Sequence, residues 1–157
     1  MTITIGKGLA LVLALAVTVA SPAASAQSAG ARAAELRHEK FELMGKTFKS
    51  LTDELKKSNP NKTLVASNAA TMKTLSTQLP GWFPRGSGVQ VRPKSEAKNE
   101  IWTDAAGFTA AASNFQVQAS KLQQVAQAGD MDAVRAQMRA TGGSCGGCHK
   151  KYRLEKK

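Results

Sequence analysis

Apolar residues recur along this chain at spacings of three and four, the pattern of helices that bury one face. Between Ala29 and Lys57 the stripe is Phe41, Met44, Phe48, Leu51 and Leu55, with Arg37 four residues before Phe41 on the same seam. Lys56-Lys57-Ser58-Asn59 ends this segment. A second helix is expected from Pro60, with Asn59 as its cap and Pro60 at the first helical position. Its apolar side is Val65, Ala69, Met72 and Leu79, flanked by Leu64 and Leu75. Residues 79–88 hold Pro80, Gly81, Pro84, Gly86 and Gly88, which forbid a regular element. This long connection is expected to run to Pro93, with Trp82 and Phe83 anchoring it as packing groups or, as the weaker alternative, as a wall of a pocket. A third helix is predicted over 95–128, where Ile101, Ala105, Phe108, Ala112, Phe115, Ala119, Leu122 and Ala126 keep a heptad stripe. Gly129-Asp130 gives a turn and a cap. The fourth helix starts at Met131, with the seam Met131, Val134, Met138, Thr141, Cys145, Cys148 and Tyr152.

Four amphipathic helices joined by short, long and short connections predict an all-α, antiparallel up-down-up-down four-helix bundle. No strand pattern or internal repeat stands out. Gly142, Gly143, Gly146 and Gly147 are anomalous in the last helix, where each costs about 0.5–1 kcal/mol relative to alanine. Either a bulky group lies against bare backbone there, or the helix frays.

The N-terminus adds an address. Lys7 is a positive start, Leu9–Ala20 is apolar apart from Thr18, and Ala24-Ser25-Ala26 supplies small residues at a cleavage site. Residues 1–26 therefore read as a cleaved signal peptide, too short in its apolar run to span a bilayer. No cysteine follows it to carry a lipid anchor. The mature chain, 27–157, has the length of one domain, and its expected location is the periplasm. The formal charge of the whole chain is +11, and removal of the signal takes away only Lys7. The excess is scattered, with a cluster of Lys150, Lys151, Arg153, Lys156 and Lys157 at the end. Cations there complement a helix dipole, and an anionic redox partner is a secondary reading. Without aromatic interleaving, nucleic acid is a poor candidate partner. Membrane association is not expected either.

The candidate chemistry lies in Cys145-Gly146-Gly147-Cys148-His149, which holds the two cysteines of the chain. A C-x-x-C-H run reads as a covalent c-type haem site, with thioethers from Cys145 and Cys148 and His149 as axial ligand to iron. At about 100° per residue the three side chains share one sector of a helix, so all can reach one flat macrocycle. Zinc needs about four ligands, whereas this chain has two Cys and two His, with Cys148 and His149 adjacent. A thioredoxin-like pair would sit in a β-α-β context, a disulfide would close only a tiny loop, and chance is the remaining alternative. Arg37, in register with an apolar stripe, would need an anion if buried. A haem propionate is the candidate, and snorkelling into water at the bundle end is the alternative.

With this motif on the last of four helices, the chain resembles class II cytochromes c, specifically the cytochrome c′ family, which shares the bundle topology. The resemblance rests on Arg37, Phe41 and Met44, on Pro80-Gly81-Trp82, on residues 100–108 (EIWTDAAGF), and on residues 145–153 (CGGCHKKYR). It implies one covalent haem c per chain, with the residue four after the arginine covering its distal face. Low-spin relatives carry a ligating methionine there. Phe41 has no lone pair, so the resemblance implies five-coordinate, predominantly high-spin iron that binds nitric oxide and carbon monoxide. Met44 and His38 are the alternative sixth ligands, which would make an electron-transfer protein; core packing for Met44 and a surface position for His38 are the simpler readings. Arg153, one turn after His149, is implied in the proximal pocket. A homodimer through the first two helices is implied as well. No catalytic dyad is evident, and no turnover activity is expected.

Overall fold

The computed structural model describes residues 22–155, with side chains from Ala29 onward. The apolar run Leu9–Ala20, Lys7, Lys156 and Lys157 lie outside the described residues. Helix α1 spans Pro22–Leu55, α2 Lys62–Gln78, α3 Glu100–Thr103, α4 Ala105–Ala128 and α5 Met131–Tyr152, with a 3-10 turn at Leu79–Trp82. The expected cleavage point after Ala26 thus falls within the first turns of α1 in this full chain. No helix among the described residues is long and apolar enough to cross a membrane.

The four long helices form the antiparallel up-down-up-down bundle. Cross-links show the alternation: Arg135 near the start of α5 donates to Leu55 O at the end of α1. At the other end Tyr152 donates to Asp104, just ahead of α4. Packing runs around a ring, α1 on α2, α2 on α4, α4 on α5, while α1 and α5 barely meet. The core of the closed seams is formed by Leu51, Val65, Met72, Ala119, Leu122 and Val134, all essentially inaccessible. Alanines at 112, 119 and 126 let α4 approach its neighbours closely, as their burial shows.

The second and third helices differ from the sequence pattern. Helix α2 is capped by Asn61, whose side chain accepts from Leu64 N, so Asn59 is not the cap and Pro60 does not open the helix. The cause is Glu54: its carboxylate accepts from Asn61 N at 2.6 Å and from Lys57 Nζ at 2.6 Å, holding the turn open two residues longer. The predicted third helix is two pieces. Asp104 caps α4 by accepting from Gly107 N, a side-chain bond that competes with continuous helix. Ala105 is consequently exposed while the rest of its stripe is buried. Finally, α5 does not fray at its four glycines but continues to Tyr152. Its end is pinned: Lys98 N donates to Tyr152 O, Leu154 N to Glu96 O, and Ala97 pairs with Arg153 in an isolated antiparallel bridge. As expected, Asp130 caps α5, accepting from Asp132 N and Ala133 N. Among the α2 flanking residues, Leu75 is buried and Leu64 is exposed.

Leu122→Ala should lower unfolding free energy by about 2–5 kcal/mol, as for other buried leucines. Val117→Ala, on the exposed side of the same helix, should stay within about 0.5 kcal/mol of the parent. Chemical denaturation of both variants checks whether α4 faces inward as described.

Candidate haem site

The seam that fails to close is the site. Between α1 and α5 lies a cavity of about 770 Å³, within the range of small-molecule and cofactor sites. Cys145, Cys148 and His149 border it from α5, Phe41 and Met44 from α1, and Phe83 from the loop after the 3-10 turn. Phe108, Ala112 and Phe115 of α4 form part of its apolar wall. The helical spacing of the motif therefore does what the sequence suggested, turning both cysteines to one side.

Both cysteines are free and half-buried. Burial, and secondarily the neighbouring Cys148, pushes the Cys145 thiol up to about 11. Burial raises Cys148 as well. A nucleophilic redox pair is favoured by the opposite shift, and the motif lies on a bundle helix rather than in a β-α-β unit. No group of three or more His, Cys, Asp or Glu among the described residues is placed to hold a metal ion by itself. His149 is exposed as a residue, yet the atoms around its ring suffice to depress its pKa. Burial is the main cause and Arg153 the second, with Glu96 opposing. The donor set, the cavity and its apolar wall fit a covalently held macrocycle with one axial imidazole. Of the four glycines, Gly142 has a steric reason in the protein alone, since a Cβ there would lie 3.3 Å from Phe48 Cζ. Gly146 borders the cavity. Nothing in the structure explains Gly143 or Gly147.

Arg37 is 4% exposed, but no carboxylate among the described residues pairs with it. Its NH1 donates to Trp82 O at 3.1 Å and Ser87 Oγ at 2.8 Å, and its NH2 to Ser87 O at 2.6 Å and Ser95 Oγ at 3.2 Å. Neutral oxygens thus satisfy the buried guanidinium, and its pKa falls to about 10, chiefly through burial and then through Arg92. It does not snorkel, and its burial is explained without a propionate. Phe41 packs edge-on against Trp82 at 5.4 Å and Phe83 at 6.1 Å. Met44 is buried in the core cluster while bordering the cavity. His38 is about half exposed, its Nε2 3.4 Å from Glu42 Oε1. Arg153 borders the cavity and donates through Nε to Glu96 at 2.6 Å. All the candidate residues therefore come to one place.

The sequence pattern missed two contributors, Glu96 and Lys151, and gave Phe83 only as the weaker alternative. Phe83 is a cavity wall rather than packing alone, stacking edge-on with Phe108 at 4.9 Å. Glu96 reaches the site through the bridge at Ala97 and Arg153, a pairing with no periodic signal. Lys151, read only as one of the C-terminal cations, pairs with Asp104 at 2.6 Å, and Tyr152 O–H donates to the same Asp104 oxygen at 2.8 Å. The position of Tyr152 three residues after His149 was the available hint.

A helical bundle whose last helix turns a C-x-x-C-H run onto an apolar cavity defines a c-type cytochrome of the bundle class. The family model for cytochrome c′ matches residues 32–153, and the chain belongs to that family. It is 36% identical over 125 residues to cytochrome c′ of Alcaligenes xylosoxydans xylosoxydans, covering 79% of this chain and 94% of that one. It is 40% identical over 90 residues to cytochrome c′ of Rubrivivax gelatinosus, covering 57% of this chain and 68% of that one. Among solved structures, a nitric oxide complex of a single-residue variant of cytochrome c prime from Alcaligenes xylosoxidans superposes with a TM-score of 0.73 at 33% identity, covering 81% of this chain and 97% of that one.

The anchor beneath His149 has a pH signature. The Asp104 carboxyl is held down to about 2, first by Lys151, then by Tyr152 and the Gly107 amide. A depressed carboxylate contributes stability above its unfolded pKa of about 3.9 and loses it as pH falls through the folded value. Asp104→Asn keeps a capping side chain but not the charge. It should unfold at lower denaturant than the parent at pH 6, with the gap shrinking as pH falls from about 4 toward about 2. Denaturation curves across that range check the sign.

Proposed function

We propose that this chain is a periplasmic c-type haem protein whose iron is five-coordinate, predominantly high-spin, and binds nitric oxide and carbon monoxide. Electron transfer is a secondary role. The observation that carries the reading is the pairing of Cys145, Cys148 and His149 on one wall of the cavity with the lone-pair-free Phe41 on α1. Haem, when bound, supplies an iron that takes a diatomic gas and changes oxidation state. The chain's own residues do the rest. Cys145 and Cys148 would hold the macrocycle through thioethers, and His149 would bind its iron. Phe41, backed by Trp82 and Phe83, would crowd a gas bound in the cavity and offer it no hydrogen bond. Arg153, tethered to Glu96, stands on the proximal side. The nitric oxide complex of the related Alcaligenes protein supports the choice of ligand.

The six-coordinate alternative, with Met44 or His38 as sixth ligand, gains less support. Met44 is packed into the core, and His38 Nε2 faces Glu42. A homodimer through α1 and α2 belongs to the same reading and is supported by exposed Leu36 and Leu43 on α1 and Leu64 on α2. An acidic redox partner is less well supported, because Lys151 and Arg153 of the C-terminal cation cluster are already engaged by Asp104 and Glu96. The proposal includes no turnover activity.

Matured protein should keep its haem on a denaturing gel stained for peroxidase activity, and Cys145→Ser with Cys148→Ser should lose it. Loss of stain from the parent would sink the reading. Ferric and ferrous absorption spectra should be high-spin, and sharp low-spin bands in both states would favour the six-coordinate alternative.

Phe41→Ala should speed carbon monoxide association by about tenfold, the effect of removing about 1.4 kcal/mol of steric barrier. Stopped-flow mixing reads it, and an unchanged rate would remove Phe41 from the gate.

A further inference from the structure

Between the 3-10 turn and α3, residues 83–99 cross the bundle without a regular helix or strand. A loop of this length is held only if its polar backbone groups find partners. Turns within the strap and its pairing with residues 152–154 supply several of these, and Arg37 adds two backbone carbonyls and two serine hydroxyls. Its four hydrogen bonds reach Trp82, Ser87 and Ser95, gathering both ends and the middle of the strap onto α1. Two further contacts seat the same segment on the same helix. Arg92 Nε donates to Glu35 at 2.8 Å. A Cβ on Gly30 would lie 2.3 Å from Gly86 O, so helix and strap meet backbone to backbone.

The strap carries one aromatic ring to the cavity, Phe83. The Arg37 guanidinium lies over that ring, 4.7 Å from its centroid. Phe83 in turn contacts Phe41 and Phe108, at 6.1 and 4.9 Å between centroids. Trp102 Nε1 donates to Phe83 O at 3.0 Å, fixing the backbone at the same residue. Arg37 therefore holds Phe83 in two ways, through the strap and through its ring face.

We propose that Phe83 is a second gate residue of the gas-binding cavity, and that Arg37 is the positioning residue that sets it by latching the strap. This rests on the proposed function for the gate, but the latch is a property of the chain alone. Lysine keeps the charge of arginine and loses its planar fork, so it cannot donate to four oxygens at once.

Arg37→Lys and Phe83→Leu, both in the haem-bearing protein, separate the two parts. Trypsin nicking after the exposed Arg85 reads the latch, followed by the mass of the fragments. In Arg37→Lys it should quicken by about tenfold, as loss of one or more charge-assisted hydrogen bonds loosens the strap. Carbon monoxide association should quicken in the same variant by a few-fold. Phe83→Leu should quicken association without quickening nicking. Unchanged nicking in Arg37→Lys overturns the latch, and unchanged association in Phe83→Leu overturns the gate. A parent chain that carries no haem would remove the gate together with the proposed function, while the nicking result still decides the latch.

Discussion

A cavity of about 770 Å³ between two helices is a liability in a chain of this size, because close packing is what stabilises a bundle. The structure depends on holding α1 and α5 apart while the other three seams close. The closed seams are built from side chains with almost no exposure, Leu51, Val65, Met72, Leu122 and Val134 among them. The open seam is braced at its edges. Arg135 ties α5 to the end of α1. The strap is latched to α1 by Arg37, and its far end is bridged to the end of α5 through Ala97 and Arg153. The cavity is thus framed by polar bonds and walled by apolar surface, which suits a flat apolar group with a few directional attachments.

Much of this was legible from the chain. Heptad spacing located four helices because burial on one face is a periodic demand, and the cysteines stood on the same seam as Val134 and Met138. The limits were set by groups that act across the fold. Glu54 moves the start of α2 by holding Asn61 N, a bond between residues whose local propensities say nothing of it. Asp104 interrupts the third helix because Tyr152 and Lys151, nearly fifty residues later, reward its carboxylate for standing out. Arg37 stood on a seam in the sequence, with burial and snorkelling both open, and the fold buries it. The neutral oxygens that receive its hydrogen bonds come from a folded loop, which periodicity cannot show.

The same contrast applies to the axial side. The C-x-x-C-H run announces its own chemistry, since the spacing is the mechanism. What steadies His149 does not announce itself. Its turn of helix is fixed by Tyr152, buried with its hydroxyl on Asp104, and by the main-chain pairing of residues 96–98 with 152–154. An otherwise glycine-weakened helix end becomes rigid enough to present a ligand in one orientation, the general requirement for a site built on a flexible local sequence.

The chain's two tryptophans both stand one contact behind the cavity wall. Trp82 packs on Phe41, and Trp102 donates to the carbonyl of Phe83. A porphyrin in the cavity would lie close enough to both indoles to quench their emission by energy transfer. The protein therefore carries its own optical gauge. Its intrinsic fluorescence distinguishes filled from empty chains during maturation, without a label and without disturbing the wall.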